Sequence, residues 1–182
     1  MIKKITFITG NAAKAAQLGR HLDFSVNHQK IELTEIQSLD VREVVEHKVK
    51  EAFYQTKSPV LVEDTSLIFN ALSKLPGPLI KWFLQELGNE GLCRLLDGFS
   101  DRSAVAEVCF GLYDGKEIKY FYSLMKGEIA KKPIGEAGFG WDPIFIPDGY
   151  IKTWAEMSDE EQKNSSLRRK AAKQLEEYLQ QL

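Results

Sequence analysis

The chain has 182 residues, 43% hydrophobic and 27% charged, a make-up that suits a globular protein with room for one sizeable core. A formal net charge of −2 with no basic stripe argues against a nucleic-acid module, and no apolar run reaches membrane-spanning length. Cys93 and Cys109 sit inside apolar runs without metal-ligand spacing and read as buried free thiols; with no signal-peptide core at the start, a reducing cytoplasm is the expected compartment.

No repeat, low-complexity tract or Pro/Ser-rich linker divides the chain, so one domain over 1–182 is expected. Residues 4–9 (KITFIT) read as a strand, Gly10-Asn11 as a turn and residues 12–22 as an Ala- and Leu-rich helix. Strand, glycine turn and helix start aim backbone N–H groups at an anion. Lys14 in the first helical turn opposes the helix dipole, which a bound phosphate would offset. The same turn also serves as an ordinary βα connection with Asn11 as N-cap, since no Walker-type glycine run is present.

Residues 25–33 read loosely as a strand, with Ile31 and Leu33 alternating around Glu32; Glu35 follows in a loop. Asp40-x-x-Glu43 resembles a capping box and opens a helix over about 41–55 with Val41, Val44, Val45, Val49, Ala52 and Phe53 near one face, an apolar stripe. Lys48 falls on or beside that stripe, where a lysine either snorkels or reaches into a site.

Residues 59–67 read PVLVEDTSL. Val60, Leu61 and Val62 suit a strand covered on both faces. Such a strand does not need Glu63 and Asp64, because a buried carboxylate is costly unless compensated. Side chains alternate along a strand, so the two acids should point to opposite faces. A strand end with solvated or capping acids fits the stretch equally well.

Leu75-Pro76-Gly77-Pro78 makes a stiff turn, followed by helical segments over 79–87 and, after Gly88, over 90–96, with Trp82, Phe83 and Leu84 read as core. Residues 103–113 and 117–124 form a hairpin across Asp114-Gly115. In residues 135–150 (GEAGFGWDPIFIPDGY), glycines flank Phe139 and free the backbone for close approach to a ligand. Phe139 and Trp141 offer flat apolar faces and Asp142 two acceptors, a combination that suits a purine and equally a loop pinned to the core. Ser158-x-x-Glu161 is a capping box, and residues 164–182 read as one long amphipathic helix with Lys163, Arg168, Arg169 and Lys170 at its start.

Taken together, the acids Glu35, Glu63 and Asp64 suit Mg²⁺, the lysines Lys14, Lys48 and Lys163 suit phosphate, and the 139–142 loop suits a base. The histidines His21, His28 and His47 fall in no catalytic spacing, and no Ser/His/Asp or Cys/His set occurs. Metal-assisted attack by water is therefore preferred to covalent catalysis.

The stretches TGNAAK (9–14), VEDTSL (62–67), LPGPLIKWF (75–83), FGWDPIF (139–145), PDGY (147–150), AEM (155–157) and KN (163–164) resemble, in order and over nearly the full length, those of the inosine triphosphate pyrophosphatase family. The resemblance implies an α/β fold: an elongated, mixed, bent β-sheet flanked by helices, in two lobes with an active-site cleft between them. It further implies a homodimer that uses Mg²⁺ to hydrolyse ITP, dITP and XTP to the monophosphate and pyrophosphate. Carried over by motif, Asp64 is general base and metal ligand, with Glu35 and Glu63 completing the metal site. Asn11 and the catalytic Lys14 hold the phosphate chain with Lys48, and Thr9, Gly10, Thr65 and Ser66 from the same motifs join the substrate-binding set. Phe139, Gly140, Trp141 and Asp142 line the nucleoside pocket near Lys163.

The chain departs from the family after Lys163-Asn164, where Leu167 and Arg168 stand in place of serine and histidine while Arg169 matches. Family members contact the base at this corner, so Arg169 is expected to face a 6-oxo group, with the bulkier Arg168 either joining it or swinging out or toward phosphate, and with altered selectivity among ITP, XTP and GTP. Two other readings stay open: a related pyrophosphatase acting on GTP or a modified pyrimidine, and a non-catalytic nucleotide sensor. Glu35, Asp64 and Lys14 argue against the sensor, which needs no poised water.

Overall fold

The computed structural model describes residues 5–10, 14, 18 and 26–181. Asn11 and most of the helix expected over 12–22 lie outside the described residues, although Lys14 and Leu18 are helical. The β-branched and aromatic runs become strands β1 (Ile5–Ile8), β2 (Val26–Gln29), β3 (Val60–Phe69), β4 (Pro76–Gly77), β5 (Ser103–Tyr113), β6 (Ile118–Ile129) and β7 (Phe145–Pro147). Among the described residues these seven strands form one mixed sheet in the order β2-β1-β3-β5-β6-β7, with β4 paired to β3. β1 runs parallel to β2 and β3, whereas β4 and β7 lie antiparallel to β3 and β6. The helices are α1 (Val41–Thr56), α2 (Ile80–Arg94), α3 (Asp159–Ser165) and α4 (Leu167–Leu179).

The chain divides into two compact units, one of Met1–Thr65, Val108–Ser123 and Arg168–Leu182, the other of Ser66–Glu107 and Leu124–Leu167. In the first unit α1 lays Val41, Val45, Val49 and Ala52 on Val60, Val62, Ile8 and Cys109. This burial is the period of an amphipathic helix meeting a sheet. Gly111 of β5 permits the close approach, since a Cβ there would lie 2.5 Å from Val45 Cγ1. Asp40 caps α1 by accepting from Arg42 N at 2.8 Å. Glu43, however, accepts from Ser38 Oγ at 2.7 Å, so the expected reciprocal box is replaced by a Ser38 bridge. β2 ends at Gln29, short of the strand expected to 33; Ile31 and Leu33 still pack on the core, and Thr34 N turns to Glu51 Oε2 at 2.8 Å.

In the second unit α2 is broken at Gly88, whose φ of 64° and ψ of 178° match the break expected from the sequence. Arg102 ties the end of α2 to β6 by donating to Cys93 O at 2.9 Å and Ile129 O at 2.8 Å. Trp82 is 53% exposed, contrary to its reading as core: it lies on the outer face of α2, with the Lys81 ammonium over its ring. The long C-terminal helix is in fact two, α3 and α4, because Ser166 is extended (φ −65°, ψ 114°) and Ser165 Oγ turns back to Glu161 O at 2.9 Å while accepting from Trp154 Nε1 at 3.0 Å. The Ser158–Glu161 capping box forms as expected.

Both cysteines are buried free thiols. Burial pushes the Cys93 thiol up to about 11, against the opposing pull of Arg102. A disulfide-exchange thiol reagent at pH 8 is expected to label neither cysteine in the native protein and both after unfolding. Rapid native labelling of one thiol would show that its surroundings open readily.

Candidate functional site

Interior strand β3 carries the two acids out of the apolar run, and its pleat sends them to opposite faces. Glu63 is wholly enclosed. Arg168 of α4 brings Nε to 3.0 Å from both Glu63 oxygens and Nη2 to 2.7 Å from Oε1, and Lys14 Nζ stands 3.4 Å from Oε1. Burial opposes ionisation of Glu63, but the charges of Arg168 and Lys14 and their hydrogen bonds outweigh it and hold its pKa below the usual carboxylate value.

Asp64, on the other face, is held at both oxygens. Thr65 N donates to Oδ1 at 2.7 Å, and Lys48 Nζ of α1 donates to Oδ2 at 2.6 Å. The same ammonium donates to Glu35 Oε1 at 2.9 Å. Lys48 therefore reaches into the site rather than snorkelling away. Burial works against its charge, and Asp64 and Glu35 more than restore it, raising its pKa above the usual lysine value.

The structure thus divides the three candidate metal acids. Glu35 and Asp64 converge on one cationic point, whereas Glu63 does not join them, because its oxygens are taken by Arg168 and Lys14 on the opposite face. Among the described residues no group of three or more His, Cys, Asp or Glu side chains could hold a metal ion. A two-carboxylate oxygen set nonetheless fits Mg²⁺, which takes one or two carboxylates and leaves its other positions to water and substrate phosphate.

Arg168, read from sequence as facing a base, has its guanidinium engaged on Glu63, while Arg169 is exposed on α4. This Glu63–Arg168 pair was not legible in the sequence, since its members are 105 residues apart. A cation at the head of a helix, misplaced against the dipole, was the one available signal. Thr9 has its backbone bound to the end of β2, through Gln29 O at 3.2 Å and His28 Nε2 at 2.9 Å, and Gly10 is exposed. Thr65 is half-buried; Ser66 is fully buried, its Oγ lacking a hydrogen-bond partner among the described residues.

In the second unit the loop before β7 folds on itself, with Asp142 Oδ2 accepting from Phe139 N at 2.8 Å. Trp141 packs at 5.6 Å from Trp154 and 5.9 Å from Phe145, so part of its face is spent pinning the loop. Asn89, just after the Gly88 break, donates to Gly140 O at 2.9 Å, a contact the sequence did not disclose. Lys163 is exposed in the last turn of α3.

Fold and site together define an α/β protein whose central strand carries two carboxylates to opposite faces, each engaged by a cationic side chain. The chain belongs to the Ham1 family, whose profile matches residues 5–178. It is 44% identical over 172 residues, 92% of this chain and 88% of the relative, to inosine triphosphate pyrophosphatase 2 of Trypanosoma cruzi (strain CL Brener). Among solved structures it is similar to the Ham1 protein of Coxiella burnetii (26% identity, TM-score 0.87, 98% and 99% of the two chains covered). It is also similar to the Ham1 protein of Staphylococcus aureus (26%, TM-score 0.84, 97% and 98%). A dITP/XTP pyrophosphatase of Mycobacterium abscessus matches at 27% identity and TM-score 0.78, over 94% and 98% of the chains.

Proposed function

We propose that this chain is a single-domain nucleoside triphosphate pyrophosphatase that clears deaminated purine nucleotides. It takes ITP, dITP or XTP to the monophosphate and pyrophosphate with Mg²⁺. The observation that carries the reading is the convergence of Glu35 and Asp64, the latter in the middle of β3, on one cation, in a chain 44% identical to an inosine triphosphate pyrophosphatase.

Water attacks the α-phosphorus, and the bond from that phosphorus to the bridging oxygen breaks to release pyrophosphate. Thr65 N–H fixes Oδ1 of Asp64, and Oδ2, which accepts from Lys48 Nζ in this structure, takes the proton from the attacking water once Lys48 turns to phosphate and passes it to solvent. Lys48 supplies positive charge to the phosphate oxygens, whereas Lys14, expected from the sequence to join it there, stands 3.4 Å from the buried Glu63 on the opposite face of β3. Bound at Glu35 and Asp64, Mg²⁺ would supply Lewis-acid neutralisation of the charge that develops on the leaving group. Phe139, Gly140, Trp141 and Asp142 receive the nucleoside in this reading, with Lys163 beside it. No helix among the described residues is long and apolar enough to cross a membrane. Cytoplasmic residence and homodimer formation belong to the same proposal, the latter supported by the exposed Trp82 on α2.

The test is pyrophosphate release with Mg²⁺ across ITP, XTP, dITP, GTP, ATP, dUTP and dTTP. Strong turnover of ITP or XTP with rejection of ATP supports the reading, and tight binding without turnover overturns it in favour of a sensor. The engagement of Arg168 by Glu63 favours a second reading in which base preference is shifted toward GTP. If Arg168→His leaves the ITP:GTP and ITP:XTP ratios of kcat/KM unchanged, that second reading fails.

Gly138 (φ +80°) precedes the folded loop, and a Cβ there would clash with Asp142 Oδ2. A left-handed conformation costs a non-glycine residue about 1–2 kcal/mol. Gly138→Ala is therefore expected to raise KM for the preferred nucleotide about tenfold with a smaller effect on kcat. Steady-state kinetics decide, and an unchanged KM would remove this loop from the binding surface.

A further inference from the structure

Lys48 Nζ lies 2.9 Å from Glu35 Oε1 and 2.6 Å from Asp64 Oδ2. Its side chain is 12% exposed, and it springs from the face of α1 that carries Val45 and Val49 into the core. Two carboxylates aimed at one point repel each other unless a cation stands there, and two cations cannot share that point without repelling in turn. The ammonium and a divalent cation are therefore competitors for the same oxygens.

We propose that Lys48 is the resident counter-ion of the Glu35–Asp64 pair, and that an arriving divalent cation exchanges it out and frees its ammonium for a phosphate oxygen. This rests on the reading that the pair is the cation site of a pyrophosphatase. Lys48 is then a positioning residue: it keeps two acids converged before the cation arrives, and it couples cation entry to capture of the polyphosphate. The divalent cation alone binds weakly, because it must displace the ammonium. With a phosphorylated ligand present it binds more tightly, because the released ammonium has a new partner.

The deciding experiment titrates Mg²⁺, without nucleotide, into wild type, Lys48→Met and Lys48→Gln, by calorimetry and by the Mg²⁺-dependent rise in melting temperature. Both variants are expected to bind Mg²⁺ roughly tenfold more tightly or better, the low end of what a neighbouring opposite charge does to a carboxylate's proton affinity. Both should also be stabilised by Mg²⁺ more than wild type is. Folded variants that bind Mg²⁺ no more tightly than wild type overturn the exchange and leave Lys48 a fixed bridge. Should neither variant fold, the wild type decides, through reductive methylation read by mass spectrometry with and without Mg²⁺. Modification of Lys48 rises severalfold with Mg²⁺ if it is released, and unchanged modification refutes release. Pyrophosphate release by wild type in the same buffer reports separately on the reaction, so a silent enzyme with intact exchange sinks the proposed function and not the counter-ion.

Discussion

Replacing Asp64 by asparagine is expected to lower kcat for pyrophosphate release by about three orders of magnitude, within the range general-base catalysis supplies, and to leave the fold intact. The asparagine oxygen can still accept from Thr65 N, which now donates to Oδ1 at 2.7 Å, so this part of β3 keeps its local hydrogen bond. The amide nitrogen then faces the Lys48 ammonium in place of Oδ2, and it has no lone pair with which to take a proton from water. One carboxylate also leaves the Glu35–Asp64 pair, so cation affinity falls with the base. Stability changes less, because Asp64 is partly open to solvent and Lys48 retains Glu35. Turnover and circular dichroism on the same preparation separate the two effects. Near-wild-type kcat in the folded variant would mean that another group takes the proton.

The second large effect is on stability. Arg168→Ala is expected to destabilise the protein by about 3–5 kcal/mol, the cost of leaving a buried charge without its main partner. Glu63 is fully enclosed and would keep only Lys14, whose Nζ is 3.4 Å away. Urea unfolding measures the change. A double variant, Glu63→Gln with Arg168→Met, should recover most of the loss, because the desolvated charge goes together with its partner. If the double variant is as unstable as the single, the loss lies in packing of α4 and not in the ion pair.

The same pair sets an acid limit. Burial raises the tendency of Glu63 to stay protonated, yet Arg168 and Lys14 hold its folded pKa below the usual value. Its contribution is therefore fully present above the unfolded-state pKa of about 4.3 and is lost as pH falls through the lower folded-state value. In Arg168→Ala the desolvation is less opposed, so the folded pKa rises and the acid-unfolding midpoint moves to higher pH. Melting temperatures across the acid range would show this shift, and an unmoved midpoint would assign the acid transition to other carboxylates.

Much of this architecture is written locally. The valine stripe of α1 carries the helical period, the Asp114-Gly115 pair carries the hairpin, with Gly115 at φ +96°, and Gly88 carries its own break in α2. The separation of Glu63 from Asp64 was legible for the same reason: a pleated strand alternates its faces whatever surrounds it. Where local rules failed, contacts or exposure that the pattern does not encode decided the outcome. Ser165 ends α3 while bonded to Trp154, and so splits a helix that periodicity alone would continue to the end of the chain. Glu43 turned from Asp40 to Ser38, and Trp82 lies on the outer face of α2 although hydrophobicity alone would bury it.

The residue types needed for the chemistry were determined by the sequence alone, because acids, lysines and flat rings are read directly from the letters. What each acid does was decided only by the tertiary structure. Charge acts through space, and neither Arg168 nor Lys14 is a neighbour of Glu63 until folding brings both side chains to β3. The same folding brings Lys48 between Glu35 and Asp64. One of two adjacent carboxylates is thereby sealed into an ion pair with Arg168, and the other is left on the ammonium that it shares with Glu35.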